Sequence, residues 1–380
     1  MKLKAPWIER RETQTVCALL TRAGHKALFV GGCVRNTILG EPVDDIDIAT
    51  DAHPETVVAL ADAADLRAVP TGIDHGTVTL VCGGIPHEVT TFRRDAETDG
   101  RRARVVYSGD MAEDAKRRDF TMNAIYAEPD GTVRDPLGGL NDLRARRVRF
   151  VGDPAERIAE DYLRILRFFR FHARYGDADA GIDPDGLAAC AELSAGIETL
   201  SRERIGHEMR KLLAARDPGP SVAAMAATGV LARTLPGADS RILPILLHHD
   251  QGLPPRWIRR LAALGGDDVT DRLRLSRDEQ RQLTQIRDGA GGTASFAELG
   301  YRYGEDIGAD AALLRAAMTG APLAPDWEAE LSRGAKASFP VNASDLMPEL
   351  DGPALGEKLR ALEATWLASG LTATRAELLG

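Results

Sequence analysis

Long apolar runs are missing from this 380-residue chain, and with them any segment able to cross a bilayer as a helix. The opening MKLKAPWIERRETQ is basic but leads into no apolar core of the signal-peptide kind, so a cytoplasmic location is expected. Cysteine is scarce. Cys17, Cys33, Cys82 and Cys190 stand apart without CxxC spacing, which argues against a zinc site or a disulfide framework and for reduced thiols. Positive charge is short too: 48 Lys and Arg against 57 Asp and Glu leave a net charge of −9. A chain this acidic is not coated by nucleic acid over its whole surface, so any RNA contact must use local patches. What remains is ordinary for a globular protein, 44% hydrophobic and 28% charged, and the length suggests several domains or subdomains.

The most informative stretch is LFVGGCVRNTILGEPVDDIDIAT, residues 28–50, which reads as strand, glycine turn, helix, loop, strand. Gly31-Gly32 at a strand-to-helix turn lets the backbone approach a ligand with no Cβ in the way. The helix that follows aims free N–H groups at an anion such as phosphate. Arg35 adds a planar cationic fork suited to phosphate oxygens. Asp45 and Asp47, two apart on the second strand, project from one face and can converge on a hard cation, with Asp44 turned away. A phosphate cradle beside paired carboxylates is what metal-assisted phosphoryl or nucleotidyl transfer requires.

Further signals follow along the chain. A helix is expected from Glu9 to Gly24, another over residues 57–64, and a hairpin from residues 77–81 and 87–92 about CGGIP. Glu88, the acidic residue of the second hairpin strand, is either a third acidic ligand or a strand-edge side chain facing water. Residues 93–108, RRDAETDGRRARVVYS, read as a mobile basic loop. In RRDFTMNA, residues 117–124, Asp119 and Asn123 lie one helical turn apart and can offer an acceptor and a mixed donor–acceptor to a ribose hydroxyl, while Arg118 reaches a triphosphate. The plainer reading makes Asp119 a helix N-cap.

Residues 154–173 are expected to form one helix. At about 100° per residue, Arg157, Glu160, Asp161, Arg164 and Arg167 gather on one side and Ile158, Tyr162, Leu163, Leu166 and Phe169 on the other. Such a stripe is commonly a salt-bridged solvent face. Ser201 reads as an N-cap, and from about residue 217 the chain reads as helices with short connections and no repeat of fixed period. His248-His249-Asp250 lacks the further His and Asp that a metal site would need.

Together GGCVRN followed by DID, then RRDFTMNA, then Glu160-Asp161 with Arg164, resemble the motifs of the class II tRNA nucleotidyltransferase (CCA-adding enzyme) and bacterial poly(A) polymerase family. The resemblance is strong over residues 25–215. Asn36 stands where the family more usually has Asp, which is expected to alter a helix-surface contact. The resemblance implies an α+β fold: a DNA polymerase beta-like nucleotidyltransferase head, a mixed sheet with helices, over residues 1–143. An all-α neck over 144–215 and a helical, tRNA-binding body and tail over 216–380 would follow. The implied reaction is template-independent addition of CMP and AMP from CTP and ATP to the 3′ end of tRNA, with release of pyrophosphate.

By the same resemblance, Asp45 and Asp47 would hold two Mg²⁺ ions, with Glu88 as a further catalytic carboxylate. Gly31, Gly32, Arg35 and Arg118 would bind the triphosphate, and Asp119 and Asn123 the ribose. Glu160, Asp161 and Arg164 would template the base, and Arg167 would add a nucleotide contact. The chemistry of the template is sound, because an Asp accepts from the amino group that cytosine and adenine share and an Arg donates to their ring acceptors. Residues 93–108 fall where the family has the flexible loop that takes part in the switch from CTP to ATP, and residues 135–143 fall at its hinge between head and neck. The alternatives are an enzyme adding only CC or only A, a poly(A) polymerase, and a non-enzymatic RNA-binding module. The complete carboxylate and template sets argue against the last.

Overall fold

Short apolar runs broken by glycine, with alternation in the hairpin, dictate strands in the first half of the chain. In the computed structural model, which describes residues 1–73, 76–94, 106–347 and 349–380, these strands are β1 (Leu28–Val30), β2 (Asp47–Thr50), β3 (Arg67–Gly72), β4 (Thr77–Cys82), β5 (Ile85–Thr91), β6 (Arg93–Arg94), β7 (Val106–Tyr107), β8 (Tyr126–Ala127) and β9 (Val133–Arg134). Seven of them form one mixed sheet in the order β3-β4-β5-β2-β1-β8-β9, and β6 pairs with β7 in a separate ribbon. The expected α+β head is borne out. In the mixed sheet β2 and β5 run parallel, in a register that sets Asp47 beside Glu88. Strands β3, β6, β7, β8 and β9 were not expected from the sequence, β6 and β7 falling at the ends of the expected loop; β6 to β9 are two residues each, too short for alternation to register.

Two compact units make up the chain, residues 1–196 and 197–380. In the first, Leu28, Val30, Ala49, Phe92, Ala115, Ala124, Tyr126 and Val151 form a buried cluster. Beside it a cluster of aromatics fixes the site. Phe120 lies 5.0 Å from both Phe150 and Phe171, and Phe150 stacks on Phe168 at 5.3 Å. Phe120 belongs to RRDFTMNA and Phe168 and Phe171 to the helix Leu163–Tyr175, so apolar packing helps to bring those two motifs together.

Several local expectations change. The N-terminal helix divides into Pro6–Glu9 and Arg11–Arg22, because Arg10 is extended (φ −60°, ψ 132°). The helix expected over residues 154–173 likewise divides, into Pro154–Glu160 and Leu163–Tyr175. Asp161 is extended there (φ −155°, ψ 103°), and its carboxylate accepts a bond from the Leu163 N–H at 3.1 Å, so a local Asx contact competes with helix continuation. At the expected hinge, a Cβ on Gly139 would fall 2.1 Å from the Thr121 carbonyl oxygen. Close backbone packing is the reason for that glycine. The expected mobile loop falls largely on residues 95–105, outside the described residues.

The second unit is helical, from Arg202–Leu213 through Arg375–Leu379. Ser201 caps its first long helix as expected, accepting from the Arg204 N–H. Ser276 with Glu279, and Thr374 with Glu377, form capping boxes. The His248-His249-Asp250 stretch ends the helix Leu243–His249, and Asp250 is buried against Arg259 and Arg260 at 2.9 and 3.2 Å. No helix among the described residues is long and apolar enough to cross a membrane.

Candidate active site

The site is built around Gly31, which joins β1 to the helix Gly32–Leu39 with φ 71° and ψ −123°, a conformation that L side chains avoid. A Cβ added there would lie 3.7 Å from Arg118 Nη1, 3.9 Å from Asp47 Oδ2 and 4.0 Å from the Asn123 carbonyl oxygen. The glycine therefore leaves open a point on which a cation and a carboxylate from two different motifs converge. The arginine is fixed from behind: Nη2 and Nε donate to Asp114 Oδ2 at 2.9 and 3.3 Å, and Nε also lies 3.2 Å from the Tyr126 hydroxyl.

Asp47 opens β2 and is half-buried, and its pKa is pushed up to about 6. Burial is the main cause, followed by the neighbouring Glu88 and, more weakly, Asp45; Arg118 and Arg35 oppose it. Asp45 lies ahead of the strand rather than on it, so strand alternation does not aim it. Glu88 is exposed on the adjacent strand at the register position of Asp47. A half-buried carboxylate with Glu88 and Asp45 near it fits a divalent cation, whose charge would offset both the burial and the repulsion. Among the described residues no three His, Cys, Asp or Glu side chains form a ready-made metal cage.

Arg35 is placed differently from an open phosphate fork. It is 7% exposed, and its guanidinium donates to Asn36 Oδ1 at 2.8 and 3.1 Å, to Asn123 Oδ1 at 2.5 Å and to the Tyr175 hydroxyl at 2.7 Å. Burial lowers its pKa. Asn36, expected on the helix surface, is buried, and its amide donates to the Pro42 carbonyl at 2.7 Å. Asp119 and Asn123 are brought together as their spacing suggests, though by the 3₁₀ turn Thr121–Asn123 rather than an α-helix. Asn123 Nδ2 donates to Asp119 Oδ1 at 2.9 Å, and Arg167 Nε donates to Asp119 Oδ2 at 2.8 Å. Against the cost of burial, the Arg167 charge and these bonds hold the Asp119 carboxyl below the usual range.

The third motif sits at the break between two helices. Glu160 pairs with both Arg157 and Arg164. Arg164 also donates to the carbonyls of Arg157 at 2.7 Å and Arg117 at 3.2 Å, and Arg157 to the carbonyl of Lys116 at 3.1 Å. The expected stripe is thus three connected charges, with Arg167 diverted to Asp119 and Asp161 turned off the helical face by its extended backbone. Sequence reasoning missed Asp114, Tyr126 and Tyr175. For Asp114 a signal existed: EDAKRR places it three and four residues before Arg117 and Arg118, the spacing of a helical ion pair.

Comparisons with known proteins cover most of the chain. A family model described as the poly A polymerase head domain matches residues 27–149, and one described as a probable RNA- and SrmB-binding site of polymerase A matches residues 181–242. The CCA-adding enzyme of Geobacillus stearothermophilus is 34% identical, with 94% of this chain and 92% of that protein covered. The CCA-adding enzyme of Limosilactobacillus fermentum is 41% identical over 59% of this chain, a match that spans about half (55%) of the relative's length. Among solved structures, the CCA-adding enzyme of Bacillus stearothermophilus in complex with CTP aligns with a TM-score of 0.75 at 30% identity, covering 96% of this chain and 94% of that one.

Proposed function

The chain belongs to the CCA-adding enzyme family of tRNA nucleotidyltransferases, and on that premise we propose that it adds cytidylate and adenylate from CTP and ATP to the 3′ end of tRNA, releasing pyrophosphate. The observation that carries the reading is the convergence of Arg118 Nη1 and Asp47 Oδ2 on the space left open by Gly31. That space suits the polyphosphate of a nucleotide, with the N-terminus of the helix Gly32–Leu39 behind it. The Bacillus stearothermophilus enzyme holds CTP on the same fold, which supports the assignment.

Family membership implies a divalent cation; we assign it as Mg²⁺, two ions during catalysis, held by Asp45 and Asp47 with Glu88 beside them. Bound there, the metal would neutralise charge on the polyphosphate and acidify the RNA 3′-hydroxyl. The remaining work falls to the chain itself. Arg118 and the glycine turn orient the polyphosphate, while Arg35 and Arg167 hold Asn123 and Asp119 as a rigid floor for the ribose. Asp161 and Arg164 meet the base edge, and Glu160 steadies Arg164. The neck, residues 144–215, would carry the base template, and the helical body and tail, residues 216–380, the tRNA. A cytoplasmic location belongs to the same proposal and rests on the four free cysteines and the tRNA substrate.

The test is nucleotide incorporation by purified protein with Mg²⁺. tRNA transcripts ending before the terminal triplet, after its first C and after both are each offered CTP, ATP or both. Growth to one completed CCA end is expected. Arrest after CC, or use of the CC-ended transcript alone, would assign a partial activity, and long adenylate tails would assign a poly(A) polymerase.

A further inference from the structure

The side chain that aims Arg118 belongs to none of the groups so far given a role. Asp114 sits on the short helix Met111–Lys116 with its carboxylate 1% exposed, and each oxygen is shared by several donors. Oδ1 accepts from Arg117 Nε at 2.7 Å and from the Arg93 N–H at 3.2 Å. Oδ2 accepts from Arg118 Nη2 at 2.9 Å, from Arg118 Nε at 3.3 Å and from the Tyr126 hydroxyl at 2.7 Å. Tyr126 lies in β8, two strands from β2, and is itself fully buried. The carboxylate is therefore anchored to the sheet that carries Asp47.

For Arg118 the consequence is directional. One edge of the guanidinium, Nε and Nη2, is consumed by Asp114, and the ring of Tyr126 lies 5.4 Å from its central carbon. Among the described residues no hydrogen bond is made by Nη1, and this is the nitrogen that lies 3.7 Å from the Cβ position of Gly31. An unanchored arginine would have to give up rotamer freedom each time it met a ligand, whereas this one has given it up on folding. Arg118 and Arg117 hold the carboxyl of Asp114 down at about 2 despite its burial, so the anchor stays charged over any working pH. The same carboxylate pins Arg93, where the chain leaves β5 for the ribbon β6–β7.

We infer that Asp114 is a positioning residue for polyphosphate binding: it fixes Arg118 with Nη1 directed at the Gly31 and Asp47 site. This rests on the reading that Arg118 meets the polyphosphate, and the test separates the two. Inorganic tripolyphosphate is titrated calorimetrically into the full chain without added metal, for the wild type, Asp114→Asn, Arg118→Ala and the double variant. Asp114→Asn is expected to weaken binding by about ten- to a hundredfold, the range typical of partners that orient a primary ligand. The double variant is expected to bind no more weakly than Arg118→Ala, since Asp114 acts only through Arg118. In turnover, KM for CTP and ATP should rise by more than kcat falls.

Unchanged binding in Arg118→Ala would overturn the phosphate assignment itself. Weakened binding in Arg118→Ala with unchanged binding in Asp114→Asn, or additive losses in the double variant, would overturn the positioning role alone. Should Asp114→Asn fail to fold, Tyr126→Phe makes the same test. It removes one hydroxyl from this cluster and is expected to weaken tripolyphosphate binding a few-fold; no change would count against the inference.

Discussion

Both units of this protein bury arginine with aspartate, and they do so to opposite ends. In the helical unit Arg259 donates to Asp310 and Asp250, each at 2.9 Å, while Arg260 reaches Asp250 at 3.2 Å and the carbonyls of Leu213, Ala215 and Arg216. The guanidinium of Arg260 closes off the end of the helix Arg202–Leu213 and is turned wholly onto protein. In the first unit Arg118 is tied along one edge only, and the other is aimed at an open glycine. Burial and charge do not by themselves mark function. What marks it is hydrogen-bonding capacity left over after the fold has taken its share and directed at open space.

Two substitutions would break this comparison if it is wrong. Asp47→Asn should lower nucleotide transfer by on the order of a thousandfold or more, a loss of several kcal/mol of transition-state stabilisation. Melting should not fall with it, because the substitution relieves crowding with Glu88 and Asp45. Turnover retained in this variant would remove Asp47 from the chemistry. Asp250→Asn should do the reverse. Depriving Arg259 and Arg260 of their shared carboxylate should cost about 3–5 kcal/mol of unfolding free energy in a denaturant titration. Activity per folded molecule should be unchanged, and a loss of activity without a loss of stability would make the helical cluster functional.

The same contrast explains what could be read from the sequence. GGCVRN and RRDFTMNA were legible because each compresses its chemistry into a few neighbouring residues, whereas the aspartate pair was legible as two neighbouring carboxylates but not in its geometry, since Asp45 lies ahead of β2. The parallel pairing that sets Glu88 beside Asp47 joins residues 41 apart, and only the carboxylate on the second strand hinted at it. The surroundings of Arg35 could not be read, because its partners Asn123 and Tyr175 arrive from 88 and 140 residues away. The Asp250 network was out of reach for the same reason, as Arg259 bridges to Asp310 over 51 residues. The helix break at Asp161 was a local competition, a side chain capturing the Leu163 N–H, which helical periodicity does not weigh.

Smaller effects sharpen the contrast within the first unit. Arg164→Ala should relax the choice among nucleoside triphosphates by about ten- to a hundredfold, the worth of one good base-edge contact. Competition assays with all four triphosphates would read it, and unchanged selectivity would leave Arg164 a bracing residue for Glu160 and the Arg117 carbonyl.

The mildest expected effect is on acid stability. Asp114 has its folded pKa lowered to about 2, against about 3.9 for an unperturbed Asp in the unfolded chain. A depressed carboxyl contributes stability that is present above the unfolded value and is lost as pH falls through the folded one. The gap is worth about 2.5 kcal/mol at neutral pH, because each tenfold difference in proton affinity between the folded and unfolded chain corresponds to about 1.4 kcal/mol. Urea titrations of the wild type and Asp114→Asn should therefore differ by a constant amount from pH 7 to about pH 5, and the difference should shrink through pH 3 toward pH 2. A difference that does not vary with pH would show that the carboxylate matters for its shape alone. In that case Arg118 would be held by packing against Tyr126 rather than by charge, and its free edge would owe its direction to the sheet.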